Sequence, residues 1–258
     1  AADRHPHPSR LPRLRRGSRQ RARRGSRPGR RKLVILGVEH GNWQRLWDQV
    51  LAHDGLYAAF GLHPVYLDSH RPHHLQVLEQ WLHKLHGHEK LCAVGEFGLD
   101  YYLPELDRER QQLLFEAQLE LAQRFELPVL LHVRRAHAQV IATLKRFKLR
   151  RAGIIHAFAG SYEEAREYLK LGFAGPGRRS HLAPGQPPAS GPPRLPLDAV
   201  VLETDSPDMA PAMHPHIRNS PVHLPAICRE LATLFAVEPE VLAAASSGNA
   251  AALFGWRD

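Results

Sequence analysis

From Lys32 onward the chain alternates short apolar runs with longer stretches whose apolar residues recur three and four apart. The short runs read as strands buried in a parallel sheet: residues 33–38, 57–62, 91–94 leading into Gly95 and Glu96, 128–133, 153–158, a weak run at 171–174, and 199–202. Helical periodicity marks residues 42–52, 73–85, 108–125, 136–147 and 161–171, with two further stretches at 224–235 and 239–245. Strand–helix alternation of this kind predicts an α/β fold on a parallel sheet. A closed TIM-type (β/α)8 barrel needs eight strands, and the pattern supplies seven. The eighth belongs before Leu33, where Arg, Pro, Gly and Ser dominate and no strand is recognisable.

Composition changes this picture in two places. The formal net charge of +9 suggests a nucleic-acid partner, but residues 1–32 hold 13 of the 35 Lys and Arg beside a single acid, Asp3. The remaining 22 basic residues face 25 acidic ones, a net of −3, so the positive charge belongs to the tail. The expected division is an irregular tail over 1–31 and a barrel domain over 32–258. That domain is interrupted by an irregular segment at 175–193, where six of 19 residues are proline. Two cysteines are too few for a disulfide scaffold or a cysteine-based zinc site and point to a reducing compartment, the cytoplasm. No apolar run approaches the roughly 20 residues of a membrane span, and no secretory apolar region is evident. The sequence indicates no obligate protein partner.

The candidate chemistry sits at strand ends. Glu96 follows CAVG, His132 ends PVLLH, His156 ends GIIH and Asp205 follows VVLET. One such histidine is more often structural, and one such acid is commonly a helix cap. Four at equivalent positions of one barrel are harder to explain that way, because strand C-termini converge on the active face of TIM barrels. The set offers nitrogen and oxygen ligands suited to Zn, Mn or Mg.

The runs GLHP at 61–64, VGEFGLDYY at 94–102, LPVLLHVRRAH at 127–137, IIHAFAGS at 154–161, LETDSPDM at 202–209 and RNSP at 218–221 resemble the TatD family of metal-dependent deoxyribonucleases. Gly248-Asn249 followed by Phe254 fits the same pattern. The resemblance implies a TIM barrel, a pair of divalent ions and phosphodiester hydrolysis, with DNA as substrate. It implies that Glu96 bridges the ions, that His132 and His156 bind one of them, and that Asp205 binds metal and orients the attacking water. His63 would line the site near a substrate phosphate, and Arg134 would help to neutralise phosphate charge. Two other functions compete: a small-molecule hydrolase of amidohydrolase type, and a non-catalytic nucleic-acid binder using the Arg-rich tail.

The family carries an H-x-H pair on its first strand. Here only His5 and His7 offer that spacing, and Pro6 and Pro8 beside them cannot donate to a sheet ladder. One account covers both irregular segments. With codons shifted by one base, residues 4–16 can encode D-T-H-T-H-L-D-F-P-D-F-D-A, and residues 181–189 a string resembling the family's segment after strand seven. A chain that carries the tail as written would leave one barrel edge without its partner strand.

Overall fold

The branched and leucine-rich runs do form strands, and each is followed by its helix. The computed structural model describes residues 32–173, 175–176, 195–208 and 218–256. Contacts separate the chain into two units, Ala1–Arg30 and Arg31–Asp258, and the described residues all belong to the second. The tail, with His5 and His7, and nearly all of the irregular 175–193 segment lie outside them, as do the positions of the frame-shift account.

The order is β1 (Leu33–Gly37), α1 (Trp43–Ala52), β2 (Leu56–Phe60), α2 (Pro72–Leu85), β3 (Leu91–Asp100), α3 (Arg108–Arg124), β4 (Val129–Arg134), α4 (His137–Leu144), β5 (Gly153–His156), α5 (Tyr162–Lys170), β6 (Gly175–Pro176), β7 (Val200–Val201), α6 (Leu224–Phe235) and α7 (Pro239–Phe254). Strands β1 to β5 form one parallel sheet in sequence order, and β6 and β7 form a second parallel pair. Among the described residues β1 pairs with β2 alone, and its Leu33–Leu36 stretch is only half-buried.

Alternation along the strands sorts side chains into two layers. Ile35, Phe60, Val129, Leu131 and Ile155 pack outward with helix residues such as Trp43, Leu78, Phe115 and Leu119. Val34, Leu36, Tyr57, Ala59, Ala93, Leu130 and Ile154 form a separate inner cluster that Phe254 of α7 joins. Trp256 stacks against Tyr57, near the start of β2, with ring centroids 4.6 Å apart. Trp256 thus lies toward the strand N-termini, at the end opposite the candidate ligands.

Three elements differ from the sequence pattern. The weak strand expected at 171–174 falls at Gly175–Pro176, because Leu171 and Gly172 (φ +80°) close α5 instead. β3 runs on through Glu96 to Asp100, and all ten of its residues are buried. α7 continues past residue 245, although Ser246, Ser247, Gly248 and Asn249 are poor helix formers. Tertiary bonds override propensity there: the Leu202 N–H donates to Ser246 Oγ (2.8 Å), and Asn249 Nδ2 donates to the Leu197 and Val200 carbonyls (2.8 Å each). Asn249 therefore holds the start of β7, which gives the terminal Gly-Asn pair a structural purpose.

Candidate metal centre

Glu96 owes its position to two glycines. β3 shifts register against β4 between Gly95 and Phe97. Gly95 has φ +153°, and a Cβ there would lie 2.7 Å from Leu130 Cβ. Gly98 has φ +151°, and a Cβ there would collide with the His132 carbonyl. No other residue type tolerates both the torsion and the contact.

Two buried glutamines of α3 fix the neighbouring strand ends. Gln118 accepts from the Leu62 N–H (2.8 Å) and donates to the Leu62 carbonyl (3.2 Å). Gln111 does the same for Asp100, at 2.8 and 3.0 Å. A side-chain amide used this way replaces a missing strand partner for each segment.

The site converges on Glu96, 5% exposed. Its Oε1 lies 3.3 Å from His63 Nε2, 3.3 Å from His132 Nδ1 and 4.0 Å from His156 Nε2. Asp205 Oδ1 lies 3.1 Å from His156 Nε2. The structure therefore gathers Glu96 from within β3, His132 and His156 from the last residues of β4 and β5, and His63 and Asp205 from the loops after β2 and β7. Arg134 stands at the rim, its guanidinium stacked on Tyr102 at 3.6 Å from the ring centroid.

Hydrogen bonding divides the three histidines into two kinds. His132 donates Nε2–H to Asp100 Oδ2 (2.9 Å), which leaves Nδ1 facing Glu96. His156 donates Nδ1–H to Glu203 Oε2 (2.5 Å), which leaves Nε2 facing Glu96 and Asp205. Glu203 also accepts from the Ala157 N–H (2.8 Å). An imidazole fixed by an outer carboxylate, with its other nitrogen aimed inward, is the usual arrangement of a metal ligand.

His63 is built the other way. Its Nδ1 accepts from the Val65 N–H (3.2 Å), so the neutral ring carries its proton on Nε2 and donates toward Glu96. Ligand atoms of His63, Glu96 and His132 lie within 4.8 Å of one another, so distance alone would make His63 a third ligand. The hydrogen bond at Nδ1 argues against this and leaves Nε2–H as a donor on the site's inner face.

Charge follows the same division. Burial pushes the Glu96 carboxyl up, but the His156 charge and hydrogen bonds from His132 and His63 outweigh it and hold Glu96 well below the ordinary carboxylate range. Burial lowers His132, yet its bonds to Asp100 and Glu96 raise it above the ordinary histidine value. His156 is raised well above that value, because Glu203, Glu96 and Asp205 overcome its burial. Burial wins at His63 and lowers it. The surrounding carboxylates thus favour positive charge at His132 and His156, and the nitrogen and oxygen donor set fits divalent metal.

Two expectations follow. Metal must displace the protons that carry this charge, so binding near neutral pH should release protons, and affinity should fall as pH drops. Calorimetry in two buffers of different ionisation enthalpy reads the release; binding without it counts against this assignment. Asp100→Asn and Glu203→Gln should each weaken metal affinity by about 10–100-fold, the usual cost of losing such a partner. Affinities within twofold of the parent would show that neither carboxylate orients its histidine.

The sequence reading overlooked Asp100 and Glu203. For Asp100 parity was the available signal, because Glu96, Gly98 and Asp100 alternate along β3; Glu203 lies beyond β7, where no such period runs. Asp205 itself has φ +59°. Its turn is held by the Asp208 N–H donating to the Asp205 carbonyl (3.1 Å). Buried Asn219 of the RNSP run donates to the Thr204 and Asp208 carbonyls.

The family model described as TatD related DNase matches residues 2–255. An uncharacterized metal-dependent hydrolase, YjjV of Escherichia coli K12, is 38% identical over 187 residues, 72% of this chain and 71% of that protein. A protein of Erwinia tasmaniensis named 3'-5' ssDNA/RNA exonuclease TatD is 36% identical over 208 residues, 74% of this chain and 80% of its own length. The crystal structure of the YjjV TatD homologue from E. coli K12 aligns with a TM-score of 0.80 at 34% identity, covering 88% of this chain and 87% of that one. The strand–helix order therefore belongs to a TIM-type barrel, the non-catalytic reading falls away, and the chain belongs to the TatD family of metal-dependent hydrolases.

Proposed function

We propose that this chain is a divalent-metal-dependent deoxyribonuclease that removes nucleotides from a strand end. The observation that carries the reading is the pair of carboxylate-held histidines turned inward onto one buried glutamate. In this proposal Glu96, His132, His156 and Asp205 would hold two divalent ions, Mg, Mn or Zn. Bound there, the ions would supply positive charge for a phosphate and make water more acidic.

The remaining tasks fall to side chains. Asp205 Oδ1 orients the attacking water and takes its proton. Neutral His63 donates Nε2–H to a non-bridging phosphate oxygen, and Arg134 adds charge at the rim. These donors favour an anionic substrate over a neutral amide. The domain's own balance of −3 over residues 33–258 gives no general attraction for a polyanion, so the local cations carry that load. The name of the Erwinia tasmaniensis relative supports action at strand ends. Two buried, unpaired cysteines, and no helix among the described residues long and apolar enough to cross a membrane, favour the cytoplasm.

The test is a substrate panel with Mn or Mg, with and without EDTA: labelled single- and double-stranded oligonucleotides, a simple phosphodiester and N-acyl amino acids. EDTA-sensitive release of nucleotides from DNA is expected. Amide hydrolysis without DNA cleavage would instead establish the amidohydrolase reading.

A further inference from the structure

His63 stands three residues past the end of β2, so the sheet alone does not hold it. Its backbone is pinned at three points. The His63 N–H donates to the Val38 carbonyl (2.9 Å). The His63 carbonyl accepts from the Tyr66 N–H (3.1 Å) and from His70 Nε2–H (2.8 Å). Between residues 63 and 70 the chain makes a short 3₁₀ turn, Pro64–Ser69, kinked at Tyr66 (φ −97°, ψ 22°). Such turns are weakly hydrogen-bonded, and Pro64 brings no N–H to this one. His70 closes it from behind: its N–H donates to the Leu67 carbonyl (3.2 Å), and its ring reaches back seven residues to His63.

His70 is itself braced from outside the loop. Its carbonyl accepts from Nη2 of Arg110 on α3 (2.6 Å). The same helix holds both backbone groups of Leu62 through Gln118. One helix thus fixes residue 62 directly and residue 63 through His70.

The ring sits there at a cost. His70 is 3% exposed, and its Nδ1 is buried with no hydrogen-bond partner among the described residues. Burial lowers the His70 pKa, so the ring is neutral and holds its one proton on Nε2, against a carbonyl that can only accept. A buried acceptor left unpaired destabilises a fold, and a leucine would avoid that loss. Packing therefore does not account for histidine at this position, whereas the bond to His63 does.

We infer that His70 is a positioning residue: it clamps the His63 backbone so that His63 Nε2–H stays aimed into the metal centre. This rests on the role proposed for His63 and adds the group that sets its place.

The test is a double-mutant cycle of His70→Phe with His63→Ala, read as kcat/KM for phosphodiester cleavage with Mn. His70→Phe keeps a ring and removes the donor. Alone it is expected to lower kcat/KM about tenfold, inside the roughly 10²-fold that a misplaced group can cost. Mn affinity should stay within about twofold of the parent, because the clamp acts on no metal ligand. His70→Gln, which can still donate to the His63 carbonyl, should recover kcat/KM to within about threefold. With His63→Ala in place, adding His70→Phe should change kcat/KM by less than about twofold. A tenfold fall in both backgrounds, or a matching loss of Mn affinity, would make His70 a general support of the fold and overturn the inference. So would kcat/KM within twofold of the parent in His70→Phe alone. Imidazole ¹⁵N NMR of the full chain reads the clamp without turnover: His63 ring signals should move in His70→Phe and return in His70→Gln. Unmoved signals reject the clamp, whereas moved signals in a chain that cleaves no phosphodiester uphold it and count only against the proposed activity.

Discussion

Glu96→Gln is expected to lower kcat/KM for phosphodiester cleavage by about 10³-fold, or about 4 kcal/mol of transition-state stabilisation. Among the described residues Glu96 is the one carboxylate that faces His63, His132 and His156 together. Glutamine keeps its shape but removes its charge and aims an N–H₂ group where cations should sit. Loss of a single preorganised electrostatic group commonly costs about 10²–10³-fold, and a buried carboxylate that would hold metal should lie at or beyond the upper end. The substitution is nearly isosteric, so the melting temperature checks that the barrel persists. A folded variant with kcat/KM within tenfold of the parent would remove Glu96 from the centre.

Asp205→Asn should lower kcat by about 10²–10⁴-fold, the range associated with a positioned proton acceptor. Asn is the informative replacement because of the backbone. At φ +59°, Asn is among the few residues that adopt the left-handed region readily, so the turn after β7 should survive and only the charge is lost. Ala at the same place would add backbone strain and confuse the reading. A shift in KM with kcat within threefold of the parent would make Asp205 a binding residue and leave the proton acceptor to another group.

Much of this site was legible from the chain because parallel strands impose a simple rule. A buried apolar run that ends in His, Glu or Asp delivers that residue to the C-terminal face, as His132 and His156 show, whereas Glu96 lies inside a longer β3 and Asp205 four residues beyond β7. Asp100 and Glu203 escaped because their roles depend on which ring nitrogen they meet, a matter of side-chain direction. The division between His63 and the other two histidines was illegible for the same reason: only the Val65 N–H on Nδ1 reveals it. β6 was misplaced because two residues carry no period, and α7 was cut short because Ser246 and Asn249 act through bonds to β7 rather than through propensity.

The most direct test of the metal centre is calorimetric titration of Mn into metal-stripped protein, comparing the parent with Glu96→Gln. The expected result is tight, proton-releasing binding in the parent and a loss of affinity greater than about 100-fold in the variant, more than removing an outer partner costs. Equal affinity in the two proteins would contradict the assignment of Glu96, His132, His156 and Asp205 as the metal site.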